Sequence, residues 1–353
     1  MPDPARILLI RPSALGDVCR TVPVLAALKR RYPAASIDWL VNDAFAPAVA
    51  AHPALRRVVA FPRRRFGAWW RSPATAGELR RWLGDLRRER YDLTVDCQGL
   101  ARSGFFAWCT RAARRAGYAN AEELGWLGLN ERVRVPMELH AVDRMMRIAR
   151  LAGAAADEPP DMRLYTPAED AENLDERLRA GRYALLAPTS RWDGKRWPMD
   201  RFAALALRLL DDGRVDRVAF VGAAGEREQC APLSELAARD DRVVDLVGRT
   251  SVGGLMAAVE RAAIVIANDS AALHMAVGFD RPLVALFGPT RVERVGPYGR
   301  ERDVIQKIEP GERLEHKDEA AGRRLMERIS VNEVAEAASA RLSGAGADTI
   351  TRC

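Results

Sequence analysis

The chain carries one rhythm twice, and that repetition constrains its fold more than any other feature. Short aliphatic or β-branched runs alternate with helix-length amphipathic segments at residues 6–11, 36–41, 57–61 and 91–96. The alternation restarts after residue 180, at 183–187, 217–221, 243–247, 264–267 and 283–287. Runs too short and too evenly apolar for a surface helix read as strands buried on both faces, and strands separated by helices return in parallel. The expectation is an α/β chain with two doubly wound parallel sheets in tandem. Residues 153–181, rich in glycine, alanine and acids and holding Pro159, Pro160 and Pro167, read as the connection, with the boundary at 165–180. The predicted helix over 17–31 contains Pro23 near its first turns, where proline costs least. Open parallel sheets bind ligands beyond the carboxyl ends of their strands, and two such domains facing each other make a cleft, so the loops after the strands carry the search for function.

Composition narrows the class. At 353 residues, two domains fit the usual size of about 150 residues each. With 48% hydrophobic and 29% charged residues, the chain can bury two cores, and no stretch approaches the ~20 apolar residues of a membrane span. The N-terminus lacks a signal-peptide pattern, so a cytoplasmic protein is expected. Cys19, Cys97, Cys109, Cys230 and Cys353 are scattered without a C-x-x-C pair, which fits neither a disulfide framework nor a thiolate zinc site. The formal charge of +7 rests almost wholly on arginine, since Lys29, Lys195, Lys307 and Lys317 are the only lysines among 55 basic residues. That bias alone is a weak argument for nucleic acid, and no nucleic-acid partner is expected.

The chemistry-bearing residues sit where strands end. The first strand runs into Pro12-Ser13-Ala14-Leu15-Gly16-Asp17, which delivers a carboxylate to a helix start. Asp17 there can take a proton from an attacking hydroxyl, or can simply be an acid stabilised by the helix dipole. The strand at 183–187 leads into residues 188–198, where Thr189, Ser190, Arg191, Lys195 and Arg196 gather hydroxyls and cations of the kind that hold phosphate; the alternative is a solvated basic loop. The Gly-rich spacing of a P-loop is missing. Asn268-Asp269-Ser270-Ala271-Ala272-Leu273-His274 enters another helix, whose free amides make an anion site. There Ser270 can act as a plain cap and His274 as a packed histidine. Gly222-Ala223-Ala224-Gly225-Glu226 ends in a carboxylate suited to ribose hydroxyls or to capping. Gly288-Pro289-Thr290 and Gly296-Pro297-Tyr298-Gly299 read as turns at the same edge, and the polar stretch 308–324 carries no assignable function.

Taken in order, the Ser13-to-Asp17 turn, the 189–198 loop, Asn268-Asp269-Ser270 with His274, and Phe287-Gly288-Pro289-Thr290 resemble the ADP-heptose:lipopolysaccharide heptosyltransferases, glycosyltransferase family 9. His52-Pro53, Asp96-Cys97-Gln98-Gly99-Leu100 and His140-Ala141-Val142-Asp143-Arg144 extend the likeness over nearly the whole chain. The stretch from Arg63 to Ser72 looks most like the heptosyltransferase I branch, which adds the first heptose to the Kdo of the inner core. The resemblance implies a GT-B fold of two Rossmann-like domains facing each other across a cleft. Residues 1–170 would bind acceptor, 171–330 would bind the nucleotide sugar, and the final helix in 331–353 would cross back to the first domain. It also implies inversion without an obligatory metal or any cofactor, the ADP-sugar being a substrate.

Carried over by motif, Asp17 is the base, while Lys195 with Thr189, Ser190 and Arg191 holds the donor diphosphate. Glu226 holds the ribose, Thr250 lies near the base pocket, and Asp269 contacts the sugar or orders the site. The amides from Ser270 through Ala271 and Ala272 to Leu273, with His274, complete the phosphate cradle. Ser13, Gly16, Gln98, Arg63, Arg64 and Arg65 fall on the acceptor side. There Arg56, Arg57, Arg63, Arg64, Arg65 and Arg71, interleaved with Phe66, Trp69 and Trp70, suit an anionic glycolipid and peripheral contact with the cytoplasmic face of the inner membrane. The alternative for this cluster is a solvated face over buried aromatics. Two departures stand out: Ala271 replaces the family's usual glycine, and the region after Gly299 lacks the cysteine pattern of some relatives. A family 9 enzyme with another nucleotide sugar or a protein acceptor is the near rival. A non-catalytic nucleic-acid binder is the distant one, since it leaves Asp17 and the phosphate loop unexplained.

Overall fold

The computed structural model describes residues 3–157, 159–309, 311, 312, 314 and 318–348. They divide into two compact units between Tyr165 and Thr166. In the first unit, β1 (Arg6–Ile10), β2 (Ser36–Asn42), β3 (Arg57–Phe61), β4 (Leu93–Asp96), β5 (Arg114–Tyr118) and β6 (Glu131–Val133) form a parallel sheet in the order β3-β2-β1-β4-β5-β6. In the second, β7 (Tyr183–Ala187), β8 (Arg217–Phe220), β9 (Val243–Asp245), β10 (Ile264–Asn268), β11 (Leu283–Phe287) and β12 (Val304–Gln306) form the order β12-β11-β10-β7-β8-β9. Read from its first strand, each sheet has the doubly wound Rossmann order, with a topological switch point between β1 and β4 and between β7 and β10.

All the strands expected from the rhythm form. β5, β6 and β12 were missed, because Arg114-Arg115-Ala116-Gly117-Tyr118 and two three-residue strands hold too few apolar residues to stand out. They extend an existing sheet edge, which is a tertiary event. The central strands β1, β4, β7, β10 and β11 are buried almost throughout, as sheets covered on both faces require. In the first unit Phe61 packs against Phe66, Trp82 and Phe106 at 5.0–5.8 Å between ring centres. Trp197 and Phe202 anchor the second core.

One expectation needs correcting. Pro23 is the ninth residue of the 17-residue helix Leu15–Arg31 and so lies in its interior, where its missing N–H removes a bond to the Cys19 carbonyl. The helix runs through it, with both faces of this segment buried. The final helix, Val331–Asp348, packs on the Met199–Asp211 helix and on β10 and β11 of the second unit. Its Val334, Ala335, Ala338 and Leu342 lie in that unit's core, where they cover a sheet face.

Part of the unassigned 308–324 stretch gains a structural role. The helix Glu319–Glu327 packs on the short turn Asp193–Lys195. A Cβ at Gly322 would sit 2.5 Å from the Gly194 carbonyl oxygen, so only glycine permits this approach.

Candidate active site

Each unit presents its polar loops at its own switch point. In the first, Ser13, Gly16 and Asp17 open the Leu15–Arg31 helix directly after β1. Asp17 is about one-quarter exposed, and its Oδ2 accepts from the Ala14 amide at 3.4 Å, the helix-capping role foreseen as the plain alternative. Its carboxylate also does more than cap. Arg11 Nη2 lies 2.8 Å from Oδ2, and Arg20 pairs with Oδ1. Arg11 in turn donates to the Cys97 carbonyl at the end of β4. Gln98 Oε1 accepts from the Ser13 amide at 3.1 Å, tying the β4 loop to the β1 loop.

Beneath Gln98 lies Asp96, fully buried and accepting from the Gln98 amide at 2.9 Å, the Gly99 amide at 3.3 Å and the Ser103 hydroxyl at 2.8 Å. Burial pushes this carboxyl up to about 6 despite those bonds. Arg11, Asp96 and Tyr118 at the end of β5 are site residues that sequence reasoning missed. Their usable signal was position, each standing at or just past a strand's carboxyl end.

The second switch point is built around Asn268, which is wholly buried at the end of β10. Its amide donates to the Pro188 carbonyl at 2.6 Å and its Oδ1 accepts from the Trp197 amide at 3.2 Å, locking the 188–198 loop. Asn268 is therefore the loop's anchor, a role its residue type alone did not disclose. Within that loop Thr189 and Ser190 are buried, Arg191 is exposed, and Lys195 Nζ lies 2.7 Å from Asp269 Oδ2, both side chains being about 85% covered. An ammonium has three donors, so the pair fixes the Lys195 head without exhausting it.

Ser270 is the N-cap of the helix Ala271–Gly278, yet its side chain makes no cap bond, and its buried Oγ has no partner among the described residues. The capping reading of Ser270 is thus replaced by an orphan hydroxyl beside the free amides of Ala271, Ala272 and Leu273, the arrangement of an anion site. His274 is buried one turn inside the same helix. Glu226 Oε2 accepts from the Ala223 amide at 2.7 Å, so one oxygen caps its own turn. Gly248, at φ +69°, donates to the Gly222 carbonyl at 2.8 Å and brings the loop carrying Thr250 against the loop carrying Glu226.

The arginine cluster divides. Arg56 and Arg57 stand at the start of β3, opposite the strand's carboxyl end, and pair with buried Asp38 and with Glu89, so they leave the expected acceptor surface. A wholly buried Asp38 carboxylate needs that compensation. Arg63, Arg64 and Arg65 follow β3 and are exposed, Arg65 pairing with Glu78. Phe66 is buried, whereas Trp69 and Trp70 are 47% and 68% exposed. Among the described residues, no group of three or more His, Cys, Asp and Glu is placed to hold a metal ion.

Two Rossmann-type sheets with their polar loops at the switch points have the layout of a GT-B glycosyltransferase. The chain belongs to glycosyltransferase family 9 (heptosyltransferase), whose profile matches residues 79–322. It is 32% identical over 301 residues to lipopolysaccharide heptosyltransferase 1 of Pseudomonas aeruginosa, covering 84% of this chain and 82% of that protein. It is 29% identical over 308 residues to lipopolysaccharide heptosyltransferase 1 of Escherichia coli, covering 85% and 93%. A solved structure of the E. coli heptosyltransferase WaaC with ADP-2-deoxy-2-fluoro heptose superposes with a TM-score of 0.71 at 26% identity, covering 90% of this chain and 98% of that one.

Proposed function

We propose that this protein transfers heptose from ADP-heptose to a Kdo-lipid A type inner-core acceptor, with inversion at the anomeric carbon and Asp17 as general base. The likeness to enzymes named lipopolysaccharide heptosyltransferase 1 supports the donor and acceptor classes. The observation that carries the mechanism is Asp17 at the β1 switch point, with a guanidinium on each carboxylate oxygen. The two fixed guanidinium forks hold that carboxylate in one orientation. In the reaction, the acceptor oxygen loses its proton to Asp17 and bonds to the anomeric carbon. The bond from that carbon to the β-phosphate oxygen breaks, and its electron pair leaves with ADP.

Lys195, the Ser270 hydroxyl and the amides of residues 271–273 meet the charge growing on the departing diphosphate. They interact more strongly with the transition state than with the bound donor, which is where catalysis is gained. Thr189, Ser190 and Arg191 complete the diphosphate contacts, Glu226 offers its second oxygen to the ribose, Thr250 borders the base, and Asp269 holds Lys195 in place. On the acceptor side, Ser13, Gly16 and Gln98 shape the sugar subsite. Arg63, Arg64 and exposed Trp69 and Trp70 suit peripheral contact with the anionic cytoplasmic face of the inner membrane. No helix among the described residues is long and apolar enough to cross a membrane.

The deciding experiment is Asp17→Asn, which keeps the shape and the bond from the Ala14 amide while removing the base. Turnover with ADP-heptose should fall at least about a hundredfold while ADP affinity by calorimetry stays unchanged. Wild-type turnover in that variant would remove Asp17 from the mechanism.

A further inference from the structure

The helix Ala101–Thr110 is apolar on its solvent side. Its buried stripe, Ser103, Phe106, Ala107 and Thr110, has the i, i+3, i+4, i+7 spacing of a helix packed on a core. The opposite stripe should then be polar, yet it carries Phe105 and Trp108, 46% and 57% exposed and stacked on each other at 6.1 Å between ring centres. The turn Gly125–Gly128 is seated against this helix, since a Cβ at Gly104 would collide with the Gly125 carbonyl, and its Leu127 with the preceding Leu124 is exposed as well. Towards β3, Trp69, Trp70 and Phe105 border a cleft of about 380 Å³ whose buried lining includes Phe61, Phe66 and Phe106. Single exposed apolar residues are ordinary on a protein surface, whereas a patch shared by adjoining elements marks a contact.

Cations accompany this face. Arg63, Arg64, Arg71, Arg102 and Arg111 are exposed, and none of them is ion-paired among the described residues, whereas Arg65 is paired with Glu78. Of the residues lining the cleft, only Arg63 and Arg102 are charged, and the Arg102 guanidinium lies 5.9 Å from the centre of the Phe61 ring. The opposing carboxylates are Glu122 and Glu123, exposed just before Leu124. A second copy of this chain seated here about a two-fold axis would set arginine against arginine, which disfavours self-association. A partner that fits has hydrocarbon for the aromatic cleft and negative charge for its guanidinium groups, which is the chemistry of an anionic lipid.

We propose that this face seats in an anionic phospholipid leaflet, with the helix Ala101–Thr110 lying along the interface, Phe105 and Trp108 among the acyl chains beside Trp69 and Trp70, and Arg63, Arg64, Arg102 and Arg111 at the lipid phosphates. One acyl chain enters the cleft between Trp69, Trp70 and Phe105. The inference rests on the membrane contact proposed above and adds the element that makes it, a helix whose outward aromatic stripe serves neither the core nor the catalytic loops. Ten residues of helix extend about 15 Å, half the thickness of the hydrocarbon layer, so this helix lies on the membrane and does not cross it. Tryptophan suits that depth because its ring is apolar and its N–H can still reach the headgroups.

The test is co-sedimentation of the full chain with phosphatidylcholine vesicles, either pure or containing about one-quarter phosphatidylglycerol. Wild type should partition at least about tenfold more strongly onto the anionic vesicles, and the double variant Phe105→Ser, Trp108→Ser should lose at least about tenfold of that partitioning. Circular dichroism and a thermal melt report that the variant is folded. Trp108→Phe keeps the apolar surface and removes one fluorophore: it should partition as wild type does while quenching by lipids brominated in their acyl chains becomes weaker. Undiminished partitioning of a folded double variant, or equal quenching of wild type and Trp108→Phe, overturns the assignment. So does a dimer in analytical ultracentrifugation that the double variant abolishes, because the face would then belong to a second copy. Heptose transfer to a deacylated, water-soluble acceptor is measured alongside and should be the same in wild type and the double variant. Vesicle binding that depends on Phe105 and Trp108 without any transfer would sink the proposed function and leave the lipid face standing, whereas transfer without vesicle binding would do the reverse.

Discussion

Ser270 shows how a single side chain separates stability from function. Its buried hydroxyl has no partner among the described residues, so the folded protein gains nothing from it unless the proposed diphosphate binds there. Ser270→Ala should therefore leave the melting temperature unchanged or slightly raised. ADP affinity should fall about tenfold or more, because a hydrogen bond to a charged phosphate contributes about 1.5–3 kcal/mol. Calorimetric titration beside a thermal melt checks both halves; a destabilised variant with unaltered ADP binding would make Ser270 structural. Asp17 and Lys195 obey a different logic, since each is already paired, Asp17 by Arg11 and Arg20 and Lys195 by Asp269. Those pairs fix geometry in advance of substrate, which is how electrostatic stabilisation avoids reorganisation during reaction. The identities of Asp17, Lys195 and Ser270 were legible in the sequence because each follows a recognisable strand. Their partners were not, because Arg11 and Arg20 resemble the many other arginines until the fold shows which carboxylate they reach.

Among elements, the helix Glu319–Glu327 was opaque to pattern reading, yet it braces the Asp193–Lys195 turn through the contact of Gly322 with Gly194. Arg323 adds an ion pair to Asp193 at 3.2 Å. Gly322→Ala should improve helix propensity by up to about 1 kcal/mol but drive its new methyl into the Gly194 carbonyl, and overpacking of that kind costs about 1–3 kcal/mol. Steric cost wins. The expected outcome is a melting temperature lower by a few degrees and weaker ADP binding, as the turn that carries Lys195 moves. Unchanged ADP binding would show that the brace serves stability alone. β5 teaches the same lesson from the other side: a strand beginning Arg114-Arg115 becomes recognisable only when β4 offers it an edge. The Arg56 and Arg57 pair was misread for a related reason, since neighbours in sequence at the two ends of a five-residue strand point to opposite edges of the sheet.

For the whole molecule, the two units have separate cores, and the proposed nucleotide contacts lie on the second. ADP at a hundredfold excess over its dissociation constant should add about 2.7 kcal/mol to that unit, while UDP and GDP at the same concentration add less. Hydrogen exchange should show the added protection at residues 188–198, 222–226 and 268–274. Protection that UDP reproduces in full would refute an adenine donor. The amino-acid sequence determined the α/β class, the two-unit division and the strand ends that bear chemistry, because hydrophobic periodicity and chain-local turn signals are written along the chain. Tertiary structure decided the sheet order, the docking of the last helix on the second core and the clamp on Asp17. Those depend on which distant residues share a dehydrated space, and no local pattern encodes that.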